Sequence, residues 1–495
     1  MYNLQDIKNL RGIERETLRL KKNGLFTKTN HPESFGNKLT NSSITVDFSE
    51  NFLEFITKPQ ATVKEVLDEL TVLSTFALQN MAEDEIILNS SMPLTVSEDE
   101  IKEADFGLSN SGMMKQTYRK GLSARYGKIM QVIAGIHYNF SIDEKLVAQK
   151  SEDLSLTKSG VYFGVINNYF EYMWLLPYLF GASPICAKSS VDSKPEFLTD
   201  LDDEFYIGEY ATSLRMSDLG YTSPAQEGLH ISYHDVSSYV SDLLNATNQS
   251  FENYKKLGLY INDERIQLNE SILQIENEYY SPIRPKQIAK RCERPAYALV
   301  NRGVEYIEVR VLDVDPFTPN GIDKDTSSFI EAMLMTCFVE EFNEYSVDNV
   351  LLAKDNLAKV AVSGREKGLM LYNFDGESIS LVDYATLLFD KIAVVAEQMG
   401  QEFVEAVELQ KQKITDVSKT PSAKLVNLAR QNGYKNTIMD ISNQASEYFR
   451  ANQIDVKKIS ELQEQACESR AAEALLVKND KISINEYIDN YYKSM

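Results

Sequence analysis

Four strand-like segments each place carboxylates, a histidine or an arginine on a face opposed to apolar residues, and this recurrence constrains the fold more than any other feature. In "RGIERETLRL" (11–20) the two-residue period of a strand puts Glu14 and Glu16 on one face and Arg15 on the other. In "GVEYIEVRVLDV" (303–314) Tyr306, Glu308, Arg310 and Leu312 share a face, against Glu305, Ile307, Val309 and Val311. "AGIHYNFSI" (134–142) pairs His137 with Asn139, and in "ITVDFSENFLEFIT" (44–57) Asp47 and Glu54 interrupt an apolar run. Any one of these strands alone suits a sheet with one wet side. As a set, their polar faces carry aromatics and glycine rather than lysine and threonine. Five carboxylates and one imidazole are the hard donors that Mg²⁺ or Mn²⁺ takes, and they would repel one another unless cations lay between them. Charge alone therefore points to a metal–phosphate site. Arg119, Arg215, Arg284 and Arg310 lie in aromatic-rich strings and supply the matching positive charge, each able to grip a carboxylate or phosphate bidentately.

The surrounding pattern predicts an α+β fold. "GIERETLRLKKNGLF" reads as a hairpin turning at Asn23-Gly24. Residues 42–57, 129–142 and 303–314 read as strands rich in branched and aromatic residues, and 62–81 has helical spacing. After "DPFTPNGID" (315–323) the chain turns mainly helical. Phe329, Ile330, Met333, Leu334, Cys337 and Phe338 recur at helical spacing behind a Ser/Thr/Asp cap. The polar stretch 187–210 reads as a long loop and a candidate lid. With no long linker or repeat, the expectation is one unit over 1–495, mixed sheet and helix over 1–320 and mainly helical over 321–495.

Composition removes several function classes. A net charge of −22 argues against a nucleic-acid partner. Cys186, Cys292, Cys337 and Cys467 are widely spaced, which suits reduced cytosolic thiols rather than a disulfide framework or a zinc site. The N-terminus does not read as a signal peptide, and "MWLLPYLFGA" (173–182) is too short to span a bilayer, so a soluble cytoplasmic protein is expected. "ADFGLS" (104–109) imitates a kinase magnesium motif without the Gly-rich loop or catalytic loop that must accompany it. "GLSARYGKI" (121–129) imitates a P-loop but has Ile129 where a hydroxyl must reach magnesium. His230 and His234 read as ordinary surface or packing residues.

"GIERETLR", "ITVDFSENFLEFIT", "SSMP" (90–93), "RYGKIMQVIAGIHYNFS", "PYLFGASP", "YATSLRMSDLGY", "LQIENEYYSPIRPK" and "RGVEYIEVRVLDVDPF" together resemble the bacterial glutamate–cysteine ligases of the proteobacterial type, from about residue 4 to about residue 320. The resemblance implies a glutamine-synthetase-like fold, whose curved, mostly antiparallel sheet forms a bowl with helices outside. It implies ATP-dependent joining of the glutamate γ-carboxylate to the cysteine amine through a γ-glutamyl phosphate, the first step of glutathione synthesis. Carried over position by position, Glu14, Glu16, Asp47, Glu54, His137 and Glu308 would bind two or three Mg²⁺ ions, or Mn²⁺. Phe48, Tyr118, Leu122, Gln131, Tyr221 and Tyr280 would form the cysteine pocket. Arg119, Arg215 and Arg310 would hold the glutamate carboxylate and the transferring phosphoryl group. It further implies a monomer, with glutathione as a candidate feedback inhibitor. The length leaves no room for the ATP-grasp domain of fused versions, so a separate glutathione synthetase is implied. The competing readings are a ligase for another amine, a non-catalytic nucleotide- or metal-binding relative, and a metal-dependent phosphohydrolase.

Overall fold

A computed structural model describes residues 2–95, 97–220, 223, 225–290 and 293–493. Its centre is a seven-stranded sheet made of β1 (Leu10–Lys21), β2 (Ile44–Val46), β3 (Phe52–Ile56), β4 (Glu85–Ile87), β5 (Gly135–Ser141), β6 (Ile283–Lys286) and β7 (Tyr306–Asp313). The order is β6-β7-β5-β1-β3-β2, with β4 added beside the far end of β1, and every neighbouring pair is antiparallel. Register carries the chemistry. Glu14 stands opposite His137, Glu16 opposite Glu54, and Glu308 opposite both Asn139 and Arg284. Because side chains alternate, these polar pairs share one face while Ile13, Phe55, Tyr138 and Val309 are buried on the other.

The opposite face of β1 is also dry. Arg15 lies there fully buried, donating to Pro319 O at 2.6 Å and Asn89 Oδ1 at 2.8 Å, and burial pulls its pKa down to about 9. Helices cover that side. Val63–Asn80 starts at a Thr62 cap, as the sequence pattern predicts. Lys324–Val339 starts at Asp323, whose side chain accepts from Thr326 N, and it is buried almost end to end. Beyond it lie helices 347–363, 381–399, 401–415, 421–432, 434–451, 456–479 and 484–493, interrupted by a small hairpin pairing 370–372 with 378–380. Among the described residues no helix is long and apolar enough to cross a membrane.

Several local expectations are corrected. The 42–57 segment is two strands, because Asp47–Asn51 forms a turn closed by Phe52 N donating to Ser49 O and Asp47 N donating to Phe52 O, each at 3.0 Å. In 129–142 the strand begins only at Gly135, after a single 3₁₀ turn at Met130–Val132. The turn at Asn23-Gly24 forms, with Gly24 at φ +84°, but the returning chain pairs only at Phe26 before leaving the sheet. Residues 187–210 are not a long loop. They contribute to a separate three-stranded sheet (Ile185–Ala187, Leu198–Asp200, Phe205–Gly208) whose Phe205 ring meets Tyr434 at 4.9 Å. Strands of three or four residues are too short to show alternation. Their pairing is set by distant packing, and among the described residues none of 187–210 lines the bowl, so the segment is packed as a small sheet away from the cavity wall.

Candidate active site

The polar face of the sheet forms the floor of a cavity of about 410 Å³. Glu14 and Glu16 come from β1, Glu54 from β3, His137 from β5, and Glu308 and Arg310 from β7. Asp47 and Phe48 come from the β2–β3 turn. One wall is helix Asn110–Tyr126, which turns Ser111, Met114, Lys115, Tyr118, Arg119 and Leu122 inward at helical spacing. Gln131 and Tyr280 complete the group, so every residue expected as a metal ligand lines one cavity with five of the six acceptor positions. The sixth, Tyr221, lies outside the described residues.

Arg215 departs from this pattern. It lines a neighbouring cavity of about 310 Å³ that shares Arg310 and Tyr280 with the central one. Both its terminal nitrogens donate to Arg310 O at 3.1 Å, so it grips the backbone of a cavity arginine. A second departure concerns β7, which bulges between Val309 and Leu312. Leu312 therefore stands opposite Ile136, on the core face, instead of sharing a face with Glu308 as strict alternation requires.

The carboxylates divide into two electrostatic groups. Glu308 lies between cations, with Arg310 Nη1 at 2.9 Å and Lys286 Nζ at 3.2 Å. Its burial favours the neutral form, yet Lys286 and Arg310 overcome this and hold its pKa well below the usual range. Glu14 behaves likewise. Burial opposes ionisation, but His137 Nδ1 at 3.1 Å brings the pKa down, and Asn139 Nδ2 donates to the second oxygen at 2.9 Å. Glu54 and Glu16 lie on the acidic side. Burial, reinforced by Glu14, Asp47 and Glu16, raises Glu54 well above the carboxylate range, and burial with Asp47 raises Glu16. Lys115 meets burial and the Arg119 charge, which lower it to about 8.

This donor set fits a divalent cation. Glu14, His137 and Glu308 each offer one ligand atom, and these atoms lie within 4.8 Å of one another. His137 Nε2 is buried, has no hydrogen-bond partner among the described residues and stands 3.7 Å from Glu16 Oε1. Carboxylate oxygens with imidazole nitrogen are the donors of Mg²⁺ and Mn²⁺ sites. Like charges packed this closely are stable in their ionised form only when a cation offsets them.

Sequence reasoning missed Lys115, Lys286 and Glu278. The signals were present: Lys115 sits one turn before Arg119, and Lys286 shares a strand face with Arg284. Glu278 carried none, because its partners are non-local. Arg125 lies 3.2 Å away, and the Tyr126 hydroxyl donates to it at 2.6 Å.

Gly135 yields a prediction. Its N–H donates to Glu16 Oε2 at 2.7 Å, and an added Cβ would lie 2.0 Å from an Arg215 terminal nitrogen. Gly135→Ala is expected to push Arg215 off the Arg310 backbone and lower kcat/KM by about 100-fold, the scale of an ångström-sized misplacement. Steady-state kinetics beside a far-UV spectrum that shows an intact fold is the check.

Comparison with known proteins follows the same lines. The family model described as glutamate–cysteine ligase matches residues 3–360. The chain is 41% identical over 478 residues to a glutamate–cysteine ligase of Pseudomonas putida KT2440, covering 94% of this chain and 90% of that one. It is 39% identical over 501 residues to one from Bordetella petrii, covering 98% and 94%. The crystal structure of Francisella tularensis glutamate–cysteine ligase in complex with AMP superposes with a TM-score of 0.98 at 59% identity, covering 100% of this chain and 99% of that one. A bifunctional glutathione synthetase of Pasteurella multocida matches with a TM-score of 0.70 at 25% identity over 90% of this chain and 52% of its own.

Proposed function

This chain belongs to the glutamate–cysteine ligase family, and on that premise we propose that its bowl is where the glutamate carboxylate is activated and handed to the cysteine amine. The activity is ATP-dependent formation of γ-glutamylcysteine, the first step of glutathione synthesis. The observation that carries the site assignment is the convergence of the acidic and imidazole donors with the aromatic wall in one cavity.

In this reading Glu14, Glu16, Asp47, Glu54, His137 and Glu308 hold Mg²⁺ ions. When bound, these neutralise phosphate charge and favour phosphoryl transfer. The nucleotide lies toward an adjoining cavity of about 320 Å³, which shares Asn277, Arg284 and Lys286 with the bowl. The AMP found in the Francisella relative supports a nucleotide site in this fold. Arg310 and Arg119 face the transferring γ-phosphoryl group and the glutamate, and Arg215 fixes Arg310 through its backbone. A glutamate γ-carboxylate oxygen attacks the γ-phosphorus, ADP leaves, and the product is γ-glutamyl phosphate. The neutral cysteine amine then attacks the acyl carbon, the carbon–oxygen bond to phosphate breaks, and the ammonium proton passes to a carboxylate or phosphate oxygen. Phe48, Tyr118, Leu122, Gln131 and Tyr280 surround the acceptor, and Tyr221 joins them by resemblance. The reading extends to a monomer of one unit working in the cytoplasm, with glutathione as a feedback inhibitor.

The test is ADP release from ATP and Mg²⁺ with glutamate across a panel of amines. Turnover that needs glutamate and prefers cysteine or its close analogues is expected. Turnover without glutamate would mark a phosphohydrolase, and equal turnover with every amine would overturn the cysteine pocket.

A further inference from the structure

Tyr491 lines the central cavity together with Tyr118, Leu122 and Tyr280, although it comes from the last described helix, Ile484–Lys493. That helix has one apolar stripe. Ile484, Tyr487, Ile488, Tyr491 and Tyr492 recur at i, i+3, i+4, i+7 and i+8, leaving Glu486, Asp489 and Asn490 outside. The stripe docks on the start of the helix that bears Tyr118 and Leu122. Asp480 Oδ2 accepts from Asn110 N at 2.6 Å, and Ile482 O accepts from Asn110 Nδ2 at 3.1 Å. The Tyr487 hydroxyl meets Ser111 Oγ at 3.0 Å, and Ile488 is fully buried.

The other flank is fastened as firmly. The Tyr492 hydroxyl donates to Gln274 O at 2.6 Å and accepts from Asn269 Nδ2 at 2.9 Å. Asn485 Oδ1 accepts from Arg265 Nη1 at 2.9 Å. The Arg294 guanidinium lies 5.5 Å from the Tyr491 ring centroid and 5.7 Å from that of Tyr492, while its Nε pairs with Glu276 Oε1 at 2.7 Å. Together these ties hold the Tyr491 ring in the cavity wall.

We propose that the 480–493 segment straps across the bowl and that Tyr491 is a specificity-determining residue of the acceptor pocket, limiting by its bulk the side chain of the amine that fits beside Tyr118 and Leu122. The proposal rests on the reading of that wall as the cysteine pocket. Removing the ring opens the wall, which weakens the hold on a small acceptor and admits a longer apolar one. A pocket that discriminates by shape alone gives ratios of about 10- to 200-fold per methylene-sized difference.

The test uses the full chain carrying Tyr491→Ala, Tyr491→Phe, Asp489→Ala or Leu122→Ala, with KM measured for cysteine, glutamate and ATP and with methionine as a bulkier acceptor. Tyr491→Ala is expected to raise the cysteine KM about tenfold and lower the preference for cysteine over methionine about tenfold, with the ATP KM unchanged. Tyr491→Phe retains the ring and should keep the preference for cysteine over methionine, whereas Asp489→Ala on the outward face is the variant that should behave as wild type. Should Tyr491→Ala fail to fold, Tyr491→Leu, which preserves apolar packing, carries the same expectation. An unchanged cysteine KM and selectivity, with Leu122→Ala raising that KM, overturns the role of Tyr491. So does a parallel rise in the KM of all three substrates, or in that of ATP alone. If neither Leu122→Ala nor Tyr491→Ala moves the cysteine KM, the pocket reading itself fails, and the proposal with it.

Discussion

Arg310→Lys is expected to lower kcat by about 10³-fold while leaving ATP binding within a few-fold of wild type, the range seen when a guanidinium that stabilises phosphoryl-transfer charge is lost. The geometry explains why lysine is no substitute. Arg310 Nη1 donates to Glu308 Oε2 at 2.9 Å and lies 3.4 Å from His137 Nδ1, and its own backbone is gripped by Arg215. A planar fork can retain these ties and still present a nitrogen to phosphate, whereas an ammonium is a single point of charge on a mobile stem. Steady-state kinetics, with nucleotide affinity measured by calorimetry, separates the two effects. A kcat within tenfold of wild type would remove Arg310 from the transferring group.

Glu54→Gln is expected to act with opposite signs on stability and on activity. Glu54 faces Glu16 across the β1–β3 pair, and burial with the charges of Glu14, Asp47 and Glu16 disfavours its ionised form. An amide of the same shape removes that repulsion, so the metal-free protein should melt later than wild type. The same change deletes a proposed magnesium ligand. A metal's contribution to phosphoryl transfer is several kcal/mol, so turnover should fall by about 10²- to 10³-fold. Added Mg²⁺ should stabilise wild type by mass action and Glu54→Gln much less. Thermal melts with and without Mg²⁺, beside ADP release, give both signs. A variant that melts earlier without metal would show Glu54 to be a structural carboxylate.

A local period of two made part of this site legible without coordinates. Glu14 with Glu16, His137 with Asn139, and Glu308 with Arg310 each appear as strand faces, and the structure joins those faces through register. The helical wall was barely legible: Arg119 stood out in its aromatic-rich string, Tyr118 and Leu122 came only through the family resemblance, and Lys115 on the same face was passed over.

What failed to show was whatever depends on chain segments meeting from afar. The bulge that turns Leu312 into the core has no signature in "VEYIEVRVLDV", where no glycine or proline marks it. The position of Arg215 follows from Asp313, which accepts from the hydroxyls of Ser183 at 2.7 Å and Ser213 at 2.9 Å and so draws three separate segments together. Tyr491 reads in isolation as one residue of an amphipathic helix, and its place in the cavity wall depends on Asn110, Ser111, Gln274 and Arg294. The sequence by itself determined which side chains share a face along each regular, unbulged stretch, because that follows from backbone geometry repeated over a few residues. Only the tertiary structure decided which faces meet, because meeting is settled by the packing and hydrogen bonding of residues hundreds of positions apart, where local periodicity carries no information.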